Sequence, residues 1–221
     1  VRADRVAPKP ERLSFEEAAA IPTTALIALR ALRDQSLVAS GQRVLINGAA
    51  GGVGGYAVQI ATAWGAEVTG VDRAAKLDLV RSYGAAHVID AADDYTSSDE
   101  RYDLVFDIPG DPPFRRARRV VAPGGSYVLI GHDAFGARGH RWFGSLGTFA
   151  WQLLLTPFVG PLHGLRGASS SPDGDLDLLT GMVEEGTLRV TIDRVFPLEE
   201  APAAIARLAS GEARGRILVT P

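Results

Sequence analysis

Arg43-Val44-Leu45-Ile46-Asn47-Gly48-Ala49-Ala50-Gly51-Gly52-Val53-Gly54 passes from a short apolar run into a glycine-rich turn and out into a helix-like segment, 53–64. A strand, a tight turn and a helix in that order make a site for a dinucleotide, because the first amides of the helix point at a pyrophosphate. Gly51 would let the backbone approach the anion, with the amides of Gly52 and Val53 opening the helix toward it. Gly54 would allow the helix to pack closely on the strand, and Gly48 starts the turn, with Ala49 in place of the usual first glycine. A glycine triad alone also fits an ordinary turn. Here the next apolar run ends at Asp72, about 20 residues beyond the loop, where an acidic group on the adenosine ribose is expected.

From Arg43 onward, short apolar and β-branched runs alternate with longer helical ones. The spacing predicts strands at 44–47, 68–71, 87–89, 104–107 and 127–130, and helices at 53–64, 74–83 and 112–121. Gly65, Gly84 and Pro123-Gly124-Gly125 fall where these elements should stop. Such alternation implies an α/β fold, a doubly wound parallel sheet with helices on both faces. Upstream, 14–32 reads as helical, with a capping box between Ser14 and Glu17 and an interruption or restart at Pro22. Downstream, 168–175 reads as a loop, followed by a helix at 176–185, a strand at 190–196, a helix at 199–209 and a strand at 216–220.

The length of 221 residues allows one large domain or a domain with an appendage, at about 100 to 200 residues per domain. With 23 Lys and Arg against 26 Asp and Glu, the formal charge of −3 offers no basic field for a nucleic-acid partner. The absence of cysteine removes disulfides, thiol nucleophiles and sulfur ligands for zinc, and no metal site is expected. Residues 142–165 carry no Asp, Glu, Lys or Arg. Their glycines and prolines favour a buried or cleft-lining helix near 146–155 over a membrane span. The opening residues resemble neither a leader nor a natural start, so a fragment and a cytoplasmic location are expected.

The residues after the second strand leave the cofactor choice open. The Asp72 carboxylate would accept the ribose hydroxyls of NAD(H) and repel the 2′-phosphate of NADP(H), whereas Arg73 and Lys76 would meet that phosphate if Asp72 turned away. Asp107, at a strand end, would cap the following turn or contact the cofactor, and Arg115, Arg116, Arg118 and Arg119 read as a solvated face. No catalytic residue is assigned.

The glycine loop, together with Leu13-Ser14-Phe15-Glu16-Glu17-Ala18-Ala19-Ala20-Ile21-Pro22, Ser82-Tyr83-Gly84-Ala85-Ala86-His87-Val88-Ile89-Asp90, Tyr102-Asp103-Leu104-Val105-Phe106-Asp107 and Ile192-Asp193-Arg194-Val195-Phe196-Pro197-Leu198-Glu199-Glu200-Ala201, resembles the medium-chain dehydrogenase/reductase superfamily, in its zinc-independent, quinone-oxidoreductase-like branch. The resemblance implies hydride transfer between NAD(P)H and a carbonyl, quinone or enone, and a small-molecule substrate. It implies a homodimer and a nicotinamide pocket lined by Pro109, Gly131 and His132. It divides the chain into 1–22, the tail of a truncated GroES-like substrate domain; 23–187, a Rossmann cofactor domain; and 188–221, a segment returning to the substrate domain. A truncated homologue is the alternative to a fragment. The rival functions are a non-catalytic NAD(P)H-binding module and an enoyl-reductase domain of a polyketide synthase. Asp72 departs from the small polar residue usual in that branch, where NADPH is preferred.

Overall fold

A computed structural model describes residues 6–130 and 174–221. Five strands form one parallel sheet: β1 (Arg43–Asn47), β2 (Glu67–Asp72), β3 (His87–Asp90), β4 (Tyr102–Asp107) and β5 (Val121–Leu129), in the order β3-β2-β1-β4-β5. Every crossover inside the sheet returns the chain to the same edge, so the strands' C-terminal ends line up and the order reverses beside β1. That reversal is where such sheets open a crevice for ligands.

Strand side chains alternate between two cores. α1 is Phe15–Ala19, α2 is Pro22–Arg30 and α3 is Gly52–Ala63. Val44, Ile46, Leu104, Phe106 and Val128 face one side, where they pack with α2 and α3. Leu45, Val71, Val105 and Tyr127 face the other, beneath α5 (Phe114–Ala117) and the turn at Tyr95–Ser97; α4 (Leu77–Ser82) joins β2 to β3. Burial on both faces explains why β1 reads as an unbroken apolar run. Each fully buried leucine, such as Leu29 or Leu32, contributes about 1.5–3 kcal/mol relative to exposure.

The chain's helix signals act where they were read. Ser14 Oγ accepts from Glu17 N at 3.1 Å while Ser14 N donates to Glu17 Oε2 at 2.8 Å, and α2 begins at Pro22, whose missing N–H costs nothing in a first turn. The predicted 112–121 helix shrinks to α5 and a 3-10 turn at Arg118–Val120, because Val120 is drawn into the core and the chain then extends as β5. Pro123-Gly124-Gly125 does not end an element. Tyr102 pairs with Val121 and Leu104 with Ser126, so residues 122–125 bulge within β5, with Gly124 at φ 79°. The 74–83 helix likewise starts as a 3-10 turn at Ala74–Lys76.

Beyond the sheet, α6 (Asp175–Glu184) packs against the α2 side of the core. A second, two-stranded parallel sheet joins β6 (Ile192–Pro197) to β7 (Arg216–Thr220) through α7 (Ala201–Ala209). No helix among the described residues is long and apolar enough to cross a membrane. The apolar run 142–165, most of the loop 168–175, Gly131 and His132 lie outside the described residues.

Candidate functional site

The glycine turn is built on the end of β2. Gly48 N and Ala49 N donate to Val71 O at 2.9 and 3.1 Å, and Ala50 N donates to Asp72 Oδ2 at 2.8 Å. Gly48, at φ 82°, takes a left-handed conformation that suits glycine. A Cβ there would already sit 3.2 Å from Pro109 Cδ, which places the predicted Pro109 beside the turn. Gly54 has no room at all: a Cβ would overlap the Gly48 carbonyl oxygen and lie 2.8 Å from Ala49 Cα, so the absent side chain is what lets α3 sit on β1.

Gly51 is the N-cap of α3 and no side chain caps the helix, so the amides of its first turn, from Gly52 and Val53 onward, are available to an anion. A Cβ on Gly52 would lie 2.6 Å from Arg216 Nη1. The guanidinium of Arg216 thus rests on the first turn of α3, and its buried Nε has no hydrogen-bond partner among the described residues. Two features therefore converge on one spot: uncapped helix amides and an incompletely partnered cation. Both fit a pyrophosphate. Gly51, Gly52, Tyr56, Tyr83, Arg189 and Arg216 line the depression there. Sequence reasoning did not single out Arg216, because it lies on the last strand and nothing local marks it.

Asp72 is held by the backbone. Its Oδ2 accepts from Ala50 N and its Oδ1 from Arg73 N, both at 2.8 Å, and Lys76 Nζ stands 4.0 Å from Oδ1. Burial, partly offset by Asp72, pulls the Lys76 ammonium below the ordinary lysine range. Arg73 points elsewhere, donating from Nη1 to Ser210 O at 3.2 Å across the turn after α7. Arg214 binds Ala75 O and donates to Asp78 Oδ2 at 2.6 Å. Gly48, Gly51, Gly52, Val53, Asp72, Lys76 and Pro109 are thus gathered around the sheet's C-terminal edge, whereas Arg73 is turned toward α7. Arg115, Arg116, Arg118 and Arg119 are exposed, with Arg116 paired to Asp94 at 2.6 Å.

Asp107 caps the turn after β4, as one of its two readings had it. It accepts from Gly110 N at 2.9 Å, Asn47 Nδ2 at 3.0 Å and Tyr127 Oη at 2.7 Å. Complete burial pushes its carboxyl up to about 6, against the pull of those three donors. The folded value lies above the unfolded 3.8, so the folded chain binds this proton more tightly. The resulting stability is fully present below about pH 4 and lost as pH rises through about 6, a change of about 3 kcal/mol. Urea unfolding of the wild type and Asp107→Asn across that window should show the wild type losing ground to the variant as pH rises. A constant difference would contradict it.

Residues 83–219 match the zinc-binding dehydrogenase family profile, more than half of the chain. The chain belongs to the zinc-binding dehydrogenase family, within the medium-chain dehydrogenases/reductases. Among its relatives, the human mitochondrial NAD(P)H oxidoreductase RTN4IP1 is 32% identical over 238 residues, covering 99% of this chain and 59% of the relative. The trans-enoyl reductase pgmF of Aspergillus terreus is 30% identical, covering 92% of this chain and 58% of the relative. The structure of the quinone oxidoreductase from Coxiella burnetii superposes with a TM-score of 0.78 at 27% identity, covering 99% of this chain and 65% of that one. This zinc-binding dehydrogenase chain therefore spans about three-fifths of the length of these relatives. It contains no cysteine, and among the described residues no group of three or more His, Asp or Glu is placed to hold a metal.

Proposed function

We propose that the chain is the cofactor-holding part of an oxidoreductase that prefers NAD(H) and reduces a small quinone, enone or other carbonyl compound without zinc. What carries the reading is the convergence of a glycine cradle, the Arg216 guanidinium and the anchored Asp72 carboxylate at one edge of the sheet. When bound, the reduced nicotinamide supplies a hydride. The chain's own contribution is to hold and orient: α3 and Arg216 take the pyrophosphate, and Asp72 the adenosine ribose. The names of the relatives support the acceptor class, since quinones and enoyl groups are both conjugated and electron-poor. The lack of sulfur ligands supports chemistry without zinc.

Preference for NAD(H) follows from how Asp72 is fixed. Two backbone amides keep its carboxylate in place, so it does not swing aside for a 2′-phosphate, and Arg73 and Arg214 are already engaged. Titration with each reduced cofactor, followed by tryptophan fluorescence or heat, should give NADH an advantage of about tenfold or more, and Asp72→Ser should erase it. A folded chain that binds neither cofactor overturns the reading. Equal binding of both overturns the preference alone.

The same reading assigns 23–187 to the cofactor and 1–22 and 188–221 to a substrate-binding domain. Leu198, Ile205 and Leu208, between 62% and 67% exposed around α7, support it as an apolar face suited to further packing.

A further inference from the structure

The sheet order separates the two halves of a dinucleotide. Asp72 marks the adenosine side at the end of β2 and the first turn of α3 marks the pyrophosphate, which leaves the C-terminal ends of β4 and β5 for the nicotinamide. β4 ends at Asp107 and the chain continues into the irregular loop 108–111. That loop is held from several sides. Gly110 N donates to Asp107 Oδ1 at 2.9 Å, Asn47 Nδ2 donates to Asp111 O at 2.8 Å, and Ile108 N donates to Asn47 O at 3.2 Å. Asn47 Nδ2 also reaches Asp107 Oδ1 at 3.0 Å, while Tyr127 Oη donates to Oδ2 at 2.7 Å.

Asn47, Asp107 and Tyr127 are 4%, 0% and 1% exposed. A buried carboxylate is an expensive way to fill a core, and apolar residues of similar volume would do that better. What this one adds is direction. Its donors come from the end of β1, from β5 and from the loop, so the loop is fixed relative to both strands that flank β4. We propose that Asp107 is a positioning residue which, with Asn47 and Tyr127, holds loop 108–111 against Gly48 as a preformed wall for the nicotinamide half of the cofactor. The inference rests on the cofactor reading above.

The test compares two ligands on the full chain by calorimetry: NADH, and ADP-ribose, which carries the adenosine and pyrophosphate but no nicotinamide. Asp107→Asn should leave the Kd of ADP-ribose within about twofold and raise that of NADH about tenfold, because only the second ligand meets the wall. Tyr127→Phe removes a single hydroxyl at constant shape and should shift NADH in the same direction by about threefold, deciding the matter if Asp107→Asn does not fold. A general structural loss would move both ligands together. Equal weakening of the two, or no change in NADH, overturns the positioning role while leaving the cofactor site intact. If the wild-type chain binds neither ligand, the cofactor reading falls and this inference with it.

Discussion

Replacing Gly54 by alanine is expected to weaken NADH binding by about a hundredfold or more and to destabilise the chain by about 3 kcal/mol. The new methyl group would overlap the Gly48 carbonyl and press on Ala49 Cα, and both are backbone atoms tied down elsewhere. Ala49 N is bonded to Val71 O, and Gly48 O accepts from Gly51 N at 3.0 Å. No side chain can rotate out of the way, so relief requires α3 to lift from β1 or the turn to unwind. Either movement disperses the amides that face the pyrophosphate. Calorimetric titration together with urea unfolding checks both effects. Binding within a few-fold of the wild type would show that the turn yields more readily than its hydrogen bonds suggest.

Asp175→Ala is expected to cost about 3 kcal/mol of unfolding free energy, with no comparable change in cofactor affinity. Asp175 opens α6, is 2% exposed, and accepts from Arg30 Nε at 2.8 Å and Arg33 Nη1 at 2.7 Å. Arg33 also pairs with Asp34 at 2.6 Å, and its guanidinium is held well above the ordinary range by Asp34 and Asp175 together. Removing the carboxylate takes away the buried acceptor that Arg30 and Arg33 share, with Arg33 keeping Asp34, and the loss of a buried acceptor exceeds that of an exposed pair. Asp175→Asn should cost less, since it keeps the shape and one acceptor. Urea midpoints for the two variants give the order directly. A cost for Asp175→Ala below about 1 kcal/mol would place the pair with ordinary surface bridges.

Much of this was legible along the chain because its causes are local. The β1 apolar run, the glycine spacing, Asp72 and the Ser14–Glu17 capping box each act within a few residues, or within one strand–helix–strand unit. The helix expected at 112–121 failed where tertiary burial of Val120 outweighed local propensity, and the glycines at 124 and 125 made a bulge that only the pairing of β4 with β5 defines. Arg216 on α3 and Asp175 between Arg30 and Arg33 were illegible for a different reason. Their partners are far away in sequence, and an arginine on a final strand or an aspartate opening a helix looks the same with or without them. The Asn47–Asp107–Tyr127 network is an intermediate case: Asp107 could be placed at a strand end, but not its donors from β1 and β5.

The Arg216 contact also bears on the order in which the site matures. Residues 43–129, which supply the sheet and the glycine turn, leave the ribosome well before β7. A nascent chain can therefore assemble the cradle while still lacking the cation that rests on it. On the proposed cofactor reading, full affinity for the dinucleotide requires β7 to be docked, so a bound dinucleotide would stabilise the state in which Arg216 rests on α3.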